Sequence, residues 1–162
     1  MARIISDKKG TYYIHGKLLE DEILSLAADI LNIRMKKGDA LTSPQHTLDF
    51  LKMELGGLEH EIFGCIFLDN RNRVICFEQL FNGTIDGAAV HPREVVKRTL
   101  QLNAAAVIFA HNHPSGVPEP SSADKAITKQ LKEALGLVDV RVLDHVIIGG
   151  NASVSFAERG YI

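Results

Sequence analysis

A short apolar run in the second half of the chain, from Ala104 to Ala110, constrains the fold most strongly. Its seven residues (AAAVIFA) are all apolar, and a run this short is typical of a buried β-strand rather than of a helix. The Pro- and Gly-containing segment HNHPSG follows directly. The run therefore predicts a buried strand that ends in a loop.

Two histidines begin this loop, one residue apart. If the extended conformation continues through Asn112, the side chains of His111 and His113 lie on the same side, because alternate residues of a strand share a face. Pro114 ends the strand and Gly116 permits an unusual backbone turn, so the following element can approach the two rings. The spacing predicts two imidazoles that share one metal ion.

A helix is predicted after the loop. It begins at Ser121 or Ser122, apolar residues then recur at helical spacing, and Gly136 ends the pattern. Asp124 lies in its first turn, and two imidazoles with one carboxylate are the protein ligands of a catalytic zinc site that keeps a fourth position for water. Ser121 and Asp124 are also spaced as in a helix capping box, which alone would explain both residues. The strand, loop and helix together favour metal binding.

These residues carry a family resemblance. The strings HxHPxG at 111–116 and SxxD at 121–124 resemble the motif of JAMM (MPN+) metalloproteases, which cleave peptide or isopeptide bonds with zinc. From about residue 61 to the C-terminus, the ordered strings GTIDGAAVHPREV, HNHPSG, PSSAD, LDHVIIGG and SFAERG resemble the RadC family of bacterial JAMM-domain proteins. The resemblance implies a single-domain α/β fold, a three-layer α-β-α sandwich around a mixed sheet with a cytidine-deaminase-like arrangement.

The JAMM motif also contains an upstream glutamate at the start of a strand, which acts as general base. Glu61 is the best match, because it opens the run EIFGCIFLD, which is apolar on both faces and typical of a central strand. The resemblance gives Glu61 the role of base and Ser121 the role of hydrogen-bond donor to the oxyanion. The competing glutamates fall on predicted helices, in a Gly-Gly connection or late in a strand: Glu54, Glu59, Glu78 and Glu94.

The implied function is that of a zinc-dependent metallohydrolase with one Zn²⁺ per chain. It would hydrolyse a peptide or isopeptide bond of a peptide or protein substrate, and the RadC name suggests an association with DNA repair. Two alternatives stay open, a DNA-associated phosphoester hydrolase and a non-catalytic binding module stabilised by a metal. A zinc deaminase is nearly excluded, because the chain contains neither His-x-Glu nor Pro-Cys-x-x-Cys.

The other histidines are interpreted in structural terms. His91 precedes Pro92 and a helical run, which predicts a helix N-terminus. His145 lies beside Asp144 in an apolar strand, as a satisfied core histidine or as an outer partner of a metal site. Three more lack a partner at metal-ligand spacing: His15, His46 and His60.

Length, charge and hydropathy limit the number of domains, the kinds of partner and the location that the chain can have. The 162 residues suit one domain, and 46% hydrophobic residues can form a core. The formal net charge is −2 and the basic residues form no long patch, so nucleic-acid binding is possible but not signalled by charge. No apolar run approaches the length of a membrane helix and no signal-peptide core is present, so a cytoplasmic protein without a membrane partner is expected. The oligomeric state stays open.

Two units are expected along the chain. Residues 1–40 form a lead-in with a short strand near 11–14 and a helix from about 19 to 35, and residues 41–162 form the RadC-type JAMM domain. A second helix begins at Ser43-Pro44 and stops at Gly56-Gly57. Full-length RadC-type proteins commonly carry a helix-hairpin-helix region, and residues 1–60 show no such pattern. The loop from residue 82 to residue 91 is expected to border the substrate cleft.

The two cysteines are too few for a zinc ribbon or a disulfide scaffold, and free thiols are expected. If Asn70-Arg71 centres a tight turn between EIFGCIFLD and RVICFEQL, Cys65 and Cys76 face each other across the hairpin. A shift in register would separate them.

Overall fold

The computed structural model describes residues 3–6, 11–34, 41, 43–83 and 89–162. Within these ranges, helices and strands alternate in the α/β manner that the sequence predicts. In chain order the elements are β1 (Arg3–Ser6), β2 (Tyr12–His15), α1 (Glu20–Arg34), α2 (Pro44–Leu55), β3 (Ile62–Leu68), β4 (Val74–Asn82), α3 (Pro92–Gln101), β5 (Ala106–Asn112), α4 (Ser122–Gly136), β6 (Arg141–Gly149) and β7 (Ala152–Ser155).

The main sheet has five strands in the order β4-β3-β5-β6-β7. Strand β3 is antiparallel to both β4 and β5, β5 is parallel to β6, and β7 returns antiparallel to β6. The parallel pair requires a crossover, which α4 provides. The mixed sheet predicted from a hairpin near residue 70 and a later crossover is confirmed.

Helices cover both faces of this sheet, which gives the predicted three layers. On one face, Phe50, Leu51 and Leu55 of α2 pack against apolar side chains of β3, β5 and β6. On the other face, Val95 of α3 and Leu131 of α4 join a second cluster that includes β3 and β5 residues. All seven residues of β3 and all seven of β5 are buried, as expected for strands covered on both sides.

The N-terminal hairpin of β1 and β2 forms a separate two-stranded sheet. The sequence predicts β2 but not β1. Helix α1 begins at Glu20 and is described to Arg34, so the predicted end at residue 35 lies outside the described residues. Helix α1 contacts α2. The boundary between residues 40 and 41 stays a prediction.

The register of the β3–β4 hairpin differs from the prediction. Cys65 pairs with Glu78, and Cys76 pairs with Phe67 instead. The loop has three residues rather than two, because the Asp69 N–H donates to the Arg73 carbonyl, and Asn72 adopts a left-handed conformation (φ 56°). A bulge between the Phe67 and Leu68 pairs adds a second extra residue to β4, and these two residues shift the register by two.

Both cysteines are thiols outside any disulfide, as predicted. Cys65 is fully buried, and this burial raises the pKa of its thiol, with further contributions from Cys76 and Glu78.

Of the loop between β4 and α3, residues 84–88 lie outside the described ranges, so its place at a cleft stays a prediction. Among the described residues, no helix combines the length and the apolar character that crossing a bilayer requires.

Candidate metal centre

Three of the predicted site residues meet where β5 ends. His111 is the sixth residue of β5 and is almost fully buried, with 1% of its surface exposed. His113 follows the strand, and its backbone N–H continues the ladder by donating to the Ile148 carbonyl at 2.8 Å. The two ring centroids lie 4.9 Å apart, so the rings share one side of the strand end as the alternation predicts.

The loop after His113 folds back over the end of β6. The Gly116 N–H donates to the His113 carbonyl at 2.9 Å, and Gly116 has a φ of +79°, which favours glycine. The loop lies so close to Gly149 that a Cβ atom there would be 2.5 Å from the Pro118 nitrogen. Helix α4 is thereby brought over the strand end.

Helix α4 begins with the capping box that the sequence suggests as an alternative to metal binding. The Ser121 Oγ accepts from the Asp124 N–H at 3.1 Å, and the Ser121 N–H donates to Asp124 Oδ2 at 2.7 Å. The Ser121 hydroxyl also donates to Oδ2 at 2.6 Å. The other oxygen, Oδ1, lies 3.2 Å from His111 Nε2. The two interpretations are therefore compatible, because each uses a different oxygen of one carboxylate.

The ligand atoms of the three residues converge on one point. One atom each from His111, His113 and Asp124 all lie within 4.8 Å of one another. The two Nε2 atoms are 3.0 Å apart, and Asp124 Oδ2 is 3.5 Å from His113 Nε2. His113 Nδ1 lies 2.8 Å from the Val117 carbonyl, which can only accept a hydrogen bond, so the Nε2 of the neutral ring carries a lone pair. Such a set of atoms can hold a metal ion.

The electrostatics of the site also favour a cation. Burial by itself would raise the pKa of the Asp124 carboxyl, but the hydrogen bond and charge of His111 and the hydrogen bonds of Ser121 hold this pKa well below its usual range. The carboxylate is therefore ionised at neutral pH. It lies at the N-terminus of α4, where the helix dipole favours a negative charge.

A further histidine lies behind the site. His145 of β6 is fully buried, and its Nε2 lies 2.8 Å from His111 Nδ1. Its Nδ1 lies 2.6 Å from the hydroxyl oxygen of Thr128, on the second turn of α4. Burial lowers the pKa of His145 well below its ordinary value, and the nearby His111 lowers it further. The interpretation of His145 as an outer partner of the metal site thus has a direct contact to support it.

Glu61 immediately precedes β3, at the end of the sheet that carries the site. Phe63 pairs with His111, and Glu61 lies two residues before Phe63, so alternation directs its side chain to the same face as His111. Glu61 is half-buried, and its carbonyl accepts a hydrogen bond from the Gly83 N–H at 2.8 Å. The strand placement predicted for Glu61 is confirmed, while its role as a base stays a prediction.

Asn112 secures the segment that bears Glu61, a role that the sequence analysis missed. Asn112 lies between His111 and His113 in the sequence, and its side chain is buried. Its Oδ1 accepts a hydrogen bond from the Ile62 N–H at 2.8 Å. Its Nδ2 donates to the carbonyls of His60 at 3.0 Å and Leu58 at 3.4 Å. One amide thus ties the start of β3 to the end of β5. The only sign of this role in the sequence is that Asn112, a residue with a carboxamide side chain, follows the apolar run of a buried strand.

The competing glutamates lie elsewhere. Glu78 of β4 pairs with Arg98 of α3, with 2.7 Å between Oε2 and Nε, and this hydrogen bond lowers the pKa of its carboxyl. Glu94 lies in the first turn of α3 and Glu54 in the last turn of α2. His91 is the N-cap residue of α3 with proline next to it, as predicted.

Comparison with known proteins agrees with the fold. The family described as "RadC-like JAB domain" matches residues 41–161. A UPF0758 protein of Vibrio cholerae serotype O1 (strain ATCC 39315 / El Tor Inaba N16961) is 54% identical over 151 residues, which cover 93% of this chain and 95% of the relative. A second UPF0758 protein of the same strain is 52% identical over 158 residues, which cover 98% of this chain and 100% of the relative.

A longer relative shows that the matched region also occurs within larger proteins. The UPF0758 protein of Nitrosococcus oceani (strain ATCC 19707 / BCRC 17464 / JCM 30415 / NCIMB 11848 / C-107) is 63% identical over 128 residues, which cover 79% of this chain but 57% of the relative. The family match spans most of the chain and includes the three candidate metal ligands as well as Asn112, Thr128 and His145. This chain belongs to the RadC-like JAB domain family.

Proposed function

We propose that this protein is a zinc-dependent metallohydrolase of the JAMM type, which hydrolyses a peptide or isopeptide bond. The observation that carries the proposal is the convergence of two imidazole nitrogens and one carboxylate oxygen within 4.8 Å. His111, His113 and Asp124 would hold one zinc ion per chain. The donor set fits zinc, because nitrogen and carboxylate ligands in a group of three leave the open position of a catalytic site.

A bound zinc ion supplies Lewis acidity and lowers the pKa of a coordinated water toward about 7. Glu61 accepts the proton of the attacking water and later donates it to the leaving amine. Its placement supports this role, because it precedes β3 on the face that also carries the His111 ring.

Ser121 would stabilise the oxyanion with its hydroxyl. In this structure the hydroxyl donates to Asp124 Oδ2, while its oxygen accepts from the Asp124 backbone N–H. Rotation of the hydroxyl hydrogen alone would redirect the donor, because the capping hydrogen bond uses only the oxygen. A contact of this kind contributes on the order of 3 kcal/mol to transition-state stabilisation.

The first experiment measures metal content by elemental mass spectrometry on protein purified without added ions. About one zinc per chain is expected in the wild type, by the stoichiometry of such sites. His113→Ala should lose it, and His15→Ala, which removes an exposed histidine of β2, should retain it. Absence of metal from all three proteins, even after zinc is supplied, would contradict the proposal and favour a binding module.

The second experiment compares substrates. The zinc-loaded protein is assayed on peptide, isopeptide-linked and phosphodiester substrates. Cleavage of an amide bond that Glu61→Gln abolishes without loss of zinc supports the assigned chemistry. Cleavage of the phosphodiester alone would replace it with a DNA-associated phosphoester hydrolase. Full amide hydrolysis by Glu61→Gln would remove Glu61 from the role of base.

A further inference from the structure

We propose that Thr128 and His145 are positioning residues that hold His111 in the tautomer whose Nε2 lone pair points into the metal site. This inference rests on the proposed zinc site and adds two residues to it. Both side chains are buried, with 2% of Thr128 and none of His145 exposed, and the group of converging ligand atoms comes from His111, His113 and Asp124. Their effect on the site follows from counting hydrogens along a chain of hydrogen bonds.

The chain starts at the backbone of the third ligand. Thr128 Oγ1 lies 2.6 Å from the carbonyl oxygen of Asp124, four residues earlier in α4. A carbonyl can only accept, so the hydroxyl of Thr128 donates its hydrogen there. The hydroxyl has no second hydrogen to donate.

The next hydrogen bond fixes the tautomer of His145. Its Nδ1 lies 2.6 Å from Thr128 Oγ1, whose hydrogen is already donated to Asp124. The oxygen must therefore accept, and Nδ1 of His145 must carry the hydrogen. Because the ring is fully buried it stays neutral, and its Nε2 is left with a lone pair.

The last hydrogen bond passes this constraint to the site. His145 Nε2 lies 2.8 Å from His111 Nδ1, so Nδ1 of His111 carries a hydrogen and its Nε2 a lone pair. The Val117 carbonyl imposes the same tautomer on His113. Two lone pairs 3.0 Å apart then face each other beside the Asp124 carboxylate, an arrangement that repels itself unless a metal ion or, in the metal-free protein, an additional proton lies between them.

A single hydroxyl thus decides which nitrogen of His111 is free for the metal. Without this hydroxyl, a hydrogen on His145 Nδ1 would have no acceptor there. The ring would therefore carry its hydrogen on Nε2 and donate it to His111 Nδ1. His111 would then carry its hydrogen on Nε2, where the metal has to bind. Helix α4 therefore contributes to the site twice, through the Asp124 carboxylate and through the Asp124 carbonyl that orients Thr128.

The test replaces Thr128 with valine, which keeps the branched shape and removes the hydroxyl, and with serine, which restores it. The ring nitrogens of metal-free protein are labelled with ¹⁵N and their protonation is determined by NMR. In the wild type and in Thr128→Ser, His111 should carry its hydrogen on Nδ1. In Thr128→Val the hydrogen should move to Nε2, and zinc affinity, measured by competition with a chelator, should fall about 10- to 100-fold.

The outcomes separate this inference from the proposed function. If the wild type binds no zinc, the proposed function fails, whatever the tautomer. If the wild type binds zinc and Thr128→Val keeps both its tautomer and its affinity, the inference is overturned and the zinc site stands. Should Thr128→Val not fold, the wild type alone still decides, because a His111 ring that carries no hydrogen on Nδ1 in the metal-free protein contradicts the inference.

Discussion

The carboxylate of Asp124 divides its two oxygens between two tasks, since Oδ1 lies 3.2 Å from His111 Nε2 while Oδ2 caps the helix that Asp124 belongs to. The cap fixes the first turn of α4 over the end of β5, and the free oxygen then meets the histidine. The same side chain therefore caps the helix and places the oxygen that faces His111. A change that separates them should separate stability from metal binding.

Asp124→Asn makes that separation. The amide keeps the size of the side chain and an oxygen that can accept from Ser121, but loses the charge. We expect the free energy of unfolding to fall by about 0.3–1 kcal/mol, the usual worth of a charge at a helix N-terminus. Zinc affinity should fall by more than the roughly 10- to 100-fold typical for loss of an outer partner.

Urea unfolding of metal-free protein and chelator competition measure the two effects for Asp124→Asn. Ser121→Ala is the matched variant, because it removes the cap and retains the ligand. It should lose more stability, typically about 1 kcal/mol, and less affinity. The reverse ranking would contradict a division of tasks within the carboxylate.

Gly149→Ala, a change at the end of the neighbouring strand β6, should weaken metal binding. Its Cβ would lie 2.5 Å from the Pro118 nitrogen and 2.8 Å from the Gly116 carbonyl, so the loop must move. That loop includes Val117, whose carbonyl holds the His113 ring, so we expect lower zinc affinity as well as lower stability. Gly136→Ala is the control, because a Cβ at this position meets nothing within 4 Å, and its affinity should equal that of the wild type. Equal affinity in both variants would refute the coupling.

Asn112→Ala should affect hydrolysis more than zinc binding. The variant removes the acceptor of the Ile62 N–H and the donor to the His60 carbonyl, and the Ile62 N–H, a buried group left without a partner, costs about 1–3 kcal/mol. The start of β3, and Glu61 with it, loses its link to β5. We expect a folded, less stable protein whose turnover falls more than its zinc content.

Steady-state kinetics beside elemental analysis would show this difference for Asn112→Ala. Exposed Asn70 in the β3–β4 loop provides the control, and Asn70→Ala should change neither quantity. A parallel loss of zinc and of turnover in Asn112→Ala would mean that Asn112 supports the metal ligands instead of Glu61.

The two thiols should differ in reactivity. Burial raises the pKa of Cys65, so little of its thiolate forms near pH 8, and reagents cannot reach it. Cys76 is only half-buried. Native protein treated with an aromatic disulfide reagent should therefore release one equivalent quickly and the second only on unfolding. Fast release of two, or of none in reduced protein, would contradict the burial of Cys65 or the accessibility of Cys76.

Local patterns in the sequence were enough to predict several elements. The apolar run before His111 predicts β5, alternation puts both histidines on one side, and Ser121 with Asp124 marks the start of α4. Each of these rests on residues a few positions apart, where chain geometry alone determines which side chains share a face. The family resemblance added the glutamate, and alternation along β3 directs the Glu61 side chain to the face that carries His111.

Other features depended on how distant segments pack. The β3–β4 register was mispredicted by two residues, because a left-handed Asn72 and one bulge decide it and neither leaves a clear pattern. Asn112 and Thr128 looked ordinary, since their partners lie 50 and 17 residues away.

The sequence by itself determined the strand, the loop and the capped helix that carry the three proposed ligands, because short-range periodicity and capping chemistry specify them. Only the tertiary structure decided which nitrogen of His111 is free. Parallel pairing of β5 with β6 sets Phe109 opposite His145, which brings His145 behind His111, and packing of α4 adds the Thr128 hydroxyl. Hydrogen-bond partners in a buried network are set by register and packing, and those are properties of the whole fold.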